Sequence, residues 1–302
     1  MKKNQNKNNM GYYINLYLES SFIKNKRSTT TTYQYVIKKH IYPYFKDYTR
    51  DKIDLSIILQ FIHKLSSNGL KNKSIRDIIL VLKGIFKLMD LSFNIPIPKL
   101  EKKEILILSE NDQILLEKYL LEHLSPLSFG IYLSLYTGLR IGEICALNIN
   151  DFDIDQKKII IHHTLSRVLS ENNNSKTKVI LSSPKSISSI REIPLPIFII
   201  PLLKNISYQK NSYILTNKNS FMDTRTLLYH YKSIIKELNL GSYTFHSLRH
   251  TFATRCIKEG CDPKTLSLLL GHSSIKITLD LYVHPSFENK ISFMNQLKPF
   301  YK

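Results

Sequence analysis

In the stretch Thr137-Gly138-Leu139-Arg140-Ile141-Gly142-Glu143-Ile144-Cys145-Ala146-Leu147 a glycine separates two apolar, helix-patterned runs. Gly138 can adopt the left-handed conformation that ends one helix, and a second helix starts at once. Arg140 and Glu143 then fall one turn apart. A guanidinium held by a nearby carboxylate is a pre-oriented fork for a phosphate. The same spacing fits an ordinary surface ion pair, so the surroundings must decide between the two.

Upstream, Ser109 is placed to cap a helix running through Glu122, and a second helix covers 126–137. Downstream, 153–196 turns to β-branched alternation. Strands are expected at Lys158-Ile159-Ile160-Ile161-His162-His163, at Lys178-Val179-Ile180-Leu181 and at Arg191-Glu192-Ile193-Pro194-Leu195, in one small antiparallel sheet. A polar turn over 169–175 joins two of them. Helices return at 225–238, 247–259, 263–270 and 275–282. Further upstream, Asn94-Ile95-Pro96-Ile97-Pro98-Lys99 and the charged Glu101-Lys102-Lys103-Glu104 cannot continue a helix, because two prolines remove donors and restrict their neighbours. A linker over 94–106 therefore separates a second domain, 107–302 with a C-terminal tail, from a helical domain over 11–93. In that front domain apolar residues recur at helical spacing in 12–22, 30–44, 54–65 and 73–89. Residues 1–10, rich in Lys and Asn, read as a flexible basic leader. The fold class is mainly α with a small antiparallel β-sheet.

The 302 residues, 43% of them hydrophobic, supply enough apolar material for two cores. Forty-three Lys and Arg against 24 Asp and Glu give a net charge of +19. Residues 1–107 carry 20 basic and 8 acidic side chains, 108–302 carry 23 and 16. Such an excess suits a polyanion, nucleic acid first. No apolar run reaches the roughly 20 residues that span a bilayer, and no signal peptide opens the chain, so a cytoplasmic protein with no membrane partner is expected. Three cysteines without CxxC spacing, Cys145, Cys256 and Cys261, indicate neither a disulfide framework nor a zinc site.

Three further clusters carry chemistry. Lys185-Ser186-Ile187-Ser188-Ser189-Ile190-Arg191 sets a lysine at a hairpin tip before a strand. His246-Ser247-Leu248-Arg249-His250 opens a helix, so His246 and Arg249 can face one anion. Leu270-Gly271-His272 precedes Thr278-Leu279-Asp280-Leu281-Tyr282.

With the opening stretch, these clusters resemble, in order and spacing, the tyrosine recombinase or phage integrase family of site-specific DNA recombinases. The family's TGLRxxE box, KTxxSxR hairpin, HxLRH box, LGH box and following tyrosine are met by Arg140, Lys185, His246, Arg249, His272 and Tyr282. Ser186 stands where that hairpin pattern has threonine. The front domain resembles the family's SAM-like core-binding domain, through Tyr42-Pro43-Tyr44-Phe45, Phe61, Leu65, Gly69 to Ile75, and Ile85-Phe86. The resemblance implies that the two domains close on DNA as a C-shaped clamp.

It further implies a nucleophilic Tyr282 that forms a 3′-phosphotyrosyl link and frees a 5′-hydroxyl, with Lys185 as the general acid for the leaving oxygen. Lys176, Lys178 and Arg191 are the alternative cations nearby. Attack on a phosphodiester builds negative charge on the equatorial oxygens, which Arg140 and Arg249 are suited to stabilise, with His246 and His272 as further donors. His272 either donates or orients. Tyr282, with an ordinary phenol pKa of about 10, needs cations or a base to act near neutrality, and the arginines supply the first. Glu143 and His250 are supporting residues. Lys71, Lys73, Ser189 and Arg191 are candidate DNA contacts, the last two alternatively ordering the turn. Covalent attachment conserves the energy of the broken bond, so neither a cofactor nor a metal is expected.

Asp151, Asp153 and Asp155 alternate like a metal loop but lack its glycine and terminal glutamate, so a solvated turn is expected. His162 and His163 are expected on opposite faces of a strand. The expected partners are double-stranded recombination sites and further copies of the chain in a synaptic tetramer, with accessory DNA-bending or directionality factors in addition. The tail after Tyr282, with Phe293 to Leu297 and Pro299-Phe300-Tyr301, docks either on a neighbouring protomer or on its own. Integration and excision of a mobile element is the leading role. Only about ten residues precede the first helix, where such integrases often carry an arm-binding domain, so Xer-like resolution of DNA dimers stays open. A catalytically idle DNA-binding or architectural protein and a type IB topoisomerase are the readings from other classes.

Overall fold

The computed structural model describes residues 9–25, 27–100, 105–169, 177–182, 190–283 and 287–296. The chain divides into two compact units, Met1–Lys103 with Arg167–Lys178, and Glu104–Ser166 with Val179–Lys302. Residues 1–8 of the expected leader lie outside the described residues. Met10 is the first residue of a helix and fully buried.

The first unit packs α1 (Met10–Lys24), α2 (Arg27–Val36), α3 (Tyr42–Phe45), α4 (Leu55–Ser67) and α5 (Asn72–Leu88) around one core. Asn9 and Asp54 cap α1 and α4 through their side-chain oxygens. Ile58, Phe61 and Leu65 form the buried stripe of α4, and Ile75, Ile78, Ile79, Leu82, Ile85 and Phe86 that of α5. The Phe45, Phe61 and Phe86 rings meet edge to face, with centroids 4.9 and 6.2 Å from Phe45. The single helix expected over 30–44 is interrupted. Pro43 has no N–H to give, and a π turn over Ile37–Ile41, closed by Tyr42 N–H on Ile37 O, carries the chain past it.

The second unit opens with α6 (Glu110–Glu122), capped by Ser109 as the sequence suggests, and α7 (Pro126–Thr137), fully buried over most of its length. Along the chain after α8 (Ile141–Ala146) come β1 (Phe152–Asp153), β2 (Lys158–Ile161), β3 (Thr164–Leu169) and β4 (Thr177–Ser182), which both run across the division between the units, and β5 (Arg191–Pro194). Then follow α9 (Ile199–Asn205), α10 (Thr224–Glu237), α11 (Phe245–Lys258), α12 (Pro263–Leu270), α13 (Ile275–Tyr282) and α14 (Phe287–Gln296). Two sheets form in place of the one expected. β1, β2 and β5 make an antiparallel three-stranded sheet, and β3 and β4 pair with each other alone. Ile161 faces Arg191 and Ile159 faces Ile193, all four buried, so alternation sends Arg191 inward with the apolar face.

Two expectations about this region are overturned. Asp151 is nearly buried, where its carboxylate accepts Asn148 N–H at 2.8 Å and lies 3.4 Å from His162 Nε2, so it closes a turn from inside instead of facing solvent. His162 and His163 do not sit on opposite faces of a strand, because β2 stops at Ile161 and their rings meet edge to face at 4.2 Å.

Helix α8 starts hard against β3. A Cβ on Gly142 would come within 2.5 Å of Leu165 O and 2.6 Å of Thr164 Oγ1. Backbone cannot yield as a flexible side chain can, so Gly142→Ala is expected to lower the unfolding free energy of the second unit by about 1–3 kcal/mol, read from the urea midpoint.

Candidate active site

Two left-handed glycines shape the site. Gly138 (φ 63°) ends α7 and Gly271 (φ 62°) ends α12. The last carbonyls of a helix have no intrahelical partner and carry its partial negative charge. Three consecutive carbonyls at the end of α12 each accept from a different arginine. Arg191 Nε donates to Leu269 O at 2.6 Å, Arg249 Nη2 to Leu270 O at 2.7 Å, and Arg140 Nη2 to Gly271 O at 2.9 Å. Arg249 Nη1 also donates to Gly138 O at 2.7 Å.

Glu143 binds two of the three from the other side. Its N-terminal position in α8 lets Oε2 accept Arg140 N–H at 2.9 Å and Oε1 accept Arg140 Nη1 at 2.8 Å. The same oxygens take Arg191 in a two-pronged pair, Nη1 to Oε1 at 3.1 Å and Nη2 to Oε2 at 3.0 Å. Burial raises the Glu143 pKa, but the hydrogen bond and charge of Arg191, then the charge of Arg140, outweigh it and hold the carboxyl below its ordinary 4.5. Arg249 is 1% exposed. Burial, then Arg140, bring its pKa down to about 9, which leaves the guanidinium charged at neutral pH. Two of its five N–H donors are spent on the two carbonyls.

Tyr282 ends α13 and is 7% exposed. Its Oη lies 2.8 Å from His250 Nδ1, and its ring stacks against His272 at 6.4 Å, nearly parallel. His272 Nδ1 is 2.8 Å from Thr278 Oγ1, a buried hydroxyl on α13. His246 stands in the first turn of α11, its ring 4.5 Å from that of His250. Lost hydration lowers the pKa of all three histidines, His250 and His272 to about 4, with His246 and Arg249 the neighbours that add to it at His250. They are neutral at physiological pH. Arg249 and Arg140 supply the cationic surroundings that the sequence suggests for Tyr282, and both lower its pKa. Burial raises its pKa more than Arg249 and Arg140 lower it, so the phenol keeps its proton.

Arg140, His246, Arg249, His250, His272, Glu143 and Tyr282 are thus gathered in one cleft of the second unit. Lys185, Lys176 and Ser189 lie outside the described residues. Lys71 and Lys73 belong to the first unit, exposed at the start of α5. Arg191 is buried and tied to Glu143 and Leu269 O, which fits an ordering role better than a phosphate contact. Thr278 and the three α12 carbonyls carry no signal that a side-chain pattern could have revealed. Among the described residues no group of three or more His, Cys, Asp or Glu could hold a metal ion, and no helix is long and apolar enough to cross a membrane.

Among the described residues three guanidinium groups against one carboxylate leave the site positive, with a buried hydroxyl held at its edge. The model for the phage integrase family matches residues 98–289, and that for the phage integrase N-terminal SAM-like domain matches 9–66. The chain belongs to the phage integrase family. It is 31% identical over 205 residues to a "Tyrosine recombinase XerC-like" protein of Caldanaerobacter subterraneus, covering 62% of this chain and 51% of the relative. It is 25% identical to the ICEBs1 integrase of Bacillus subtilis over 90% of this chain and 77% of that one. The chain thus spans about half the length of the first relative and three-quarters of the second. The integrase of transposon Tn1549, solved with transposon right end DNA, shares the fold with a TM-score of 0.76 at 21% identity, over 94% of this chain and 98% of that one. A lambda integrase tetramer bound to a Holliday junction gives 0.66 at 17% identity, over 91% and 78%.

Replacing Glu143 by glutamine would leave two guanidinium groups facing each other over a neutral amide. A loss of about 3–5 kcal/mol is expected, the cost of breaking a buried pair on one side. Because the folded-state pKa is lowered, the wild-type contribution is complete above the unfolded value near 4.5 and is lost as pH falls through the folded one. Urea unfolding at pH 7 and pH 4 should therefore separate wild type from Glu143→Gln more at pH 7.

Proposed function

We propose that this integrase-family chain is a site-specific tyrosine recombinase that cuts and rejoins double-stranded DNA through a 3′-phosphotyrosyl intermediate, in the integration and excision of a mobile element. The observation that carries the reading is the buried Tyr282 hydroxyl at the edge of a cleft in which Arg140 and Arg249 are held fixed before any ligand arrives. Preorganised donors need no reorganisation as charge develops on the phosphate oxygens, and removing one such donor costs roughly 2.7–4 kcal/mol of transition-state stabilisation.

In this scheme Tyr282 Oη attacks the phosphorus, Arg140 and Arg249 neutralise the equatorial oxygens, and His246 and His272 line the same charge. Lys185 protonates the leaving 5′-oxygen, as the family resemblance implies. Lys71 and Lys73, exposed at the start of α5, are assigned to DNA phosphates in the front domain. Self-association accompanies binding. Phe287, Ile291 and Met294 lie at helical spacing on α14 and are all exposed, a face suited to a neighbouring protomer, and the lambda relative is solved as a tetramer on a junction. The mobile-element role is supported by the alignment with the ICEBs1 integrase over most of this chain. The XerC-like relative at 31% identity supports dimer resolution as the second reading. Recombination between two identical short sites, with no second element end, would select it.

A nicked duplex carrying the repeats that flank the coding sequence traps the covalent complex, because the short 5′-end diffuses away after cleavage. Wild type should form the adduct. Tyr282→Phe should bind the duplex as tightly and form none, while Arg140→Ala and Arg249→Ala should slow adduct formation by about 10²–10³-fold. Wild type that binds the duplex without ever becoming attached to it would overturn the reading.

A further inference from the structure

The buried nucleophile creates a difficulty that cations do not remove. Tyr282 is 7% exposed, and the loss of water favours its neutral form over the attraction of Arg249 and Arg140. A neutral phenol attacks phosphorus poorly unless something takes its proton as the bond forms. Three imidazoles stand near the ring. His272 turns its face to the phenol, nearly parallel at 6.4 Å, and its Nδ1 is engaged with Thr278 Oγ1. His246 lies in the first turn of α11, in ring contact with His250. His250 alone among the described residues sets a ring nitrogen on Oη, at 2.8 Å, the length of a formed hydrogen bond.

We propose that His250 is the proton acceptor for Tyr282. This rests on the recombinase reading and adds a role to a residue that flanks the catalytic arginine. Tyr282 Oη–H donates to Nδ1, with the other ring proton on Nε2. As Oη bonds to phosphorus and the bond from phosphorus to the 5′-oxygen breaks, the phenolic proton passes to Nδ1, and the leaving oxygen takes its proton from the acid on the far side of the phosphate. Rejoining runs the same path backwards. The 5′-hydroxyl attacks, and the imidazolium of His250 returns its proton to the departing tyrosine. Burial first, then the charges of His246 and Arg249 on its own helix, keep His250 neutral in the resting site, so the lone pair that faces Tyr282 on α13 is open at physiological pH. A base of low pKa can still serve, because the phenolic oxygen becomes strongly acidic once it bonds to phosphorus.

The test follows adduct formation on the nicked duplex from pH 6 to pH 9.5, with DNA binding measured beside it, for wild type, His250→Ala and His250→Asn. His250→Ala should bind DNA as wild type does and form adduct about 10²–10⁴-fold more slowly at pH 7. Its rate should climb roughly tenfold per pH unit as the phenol ionises unaided, while wild type changes little. Added imidazole should restore part of the rate. His250→Asn keeps an acceptor in place of Nδ1 but takes no proton, and should be as slow as alanine. A His250→Ala rate within threefold of wild type with the same pH profile overturns the proposal. Full activity of His250→Asn also overturns it, since holding the hydroxyl would then suffice. Failure of wild type itself to form adduct is the separate result that removes the recombinase reading and this step with it.

Discussion

Three guanidinium groups gathered around one helix end repel one another, and the rest of the site depends on what allows them to stay. The C-terminal turn of α12 offers three successive carbonyls, and each takes one arginine. Among the described residues Glu143 supplies the full negative charge, shared between Arg140 and Arg191. This leaves the cleft positive but internally satisfied, so it can wait for an anion without collapsing or filling with counter-charge from its own chain. Both glycine turns serve the same end, since only a left-handed residue can end α7 and α12 so abruptly that Gly138 O and Gly271 O turn inward.

The same burial that strengthens the arginines works against the tyrosine. A low-dielectric cleft magnifies the attraction between guanidinium and phosphate, yet it also penalises the phenolate that must form there. Charge on Arg249 and Arg140 offsets part of that penalty and leaves the rest. Neutral histidines around the ring are the natural complement, because they exchange protons without adding a fourth resident positive charge.

The sheet is small, but its register has a large consequence. A one-residue slip between β2 and β5 would turn Arg191 to solvent and leave Glu143 with one partner. Close approach of α8 to β3 at Gly142 fixes Glu143 in turn, so the carboxylate and the strand that meets it are set by backbone contacts and not by side-chain choice.

The sequence by itself determined the helical front domain, the helix cap at Ser109 and the helices between 225 and 282, because periodicity and capping are properties of neighbouring residues, and the resemblance of its short motifs to a family pointed to the seven side chains that the fold brings together. The comparisons bear that family out. Tertiary structure alone decided the rest. Arg191 reads equally well as a DNA contact or a tie until its partner, 48 residues away in the chain, is known to be a buried Glu143. His162 and His163 look alternate until the strand is seen to stop at Ile161. The protonation of Tyr282 turned on how much water the fold removes, and its pairing with His250 on how α13 lies against α11. Those are distances across the chain, and no spacing along it encodes them.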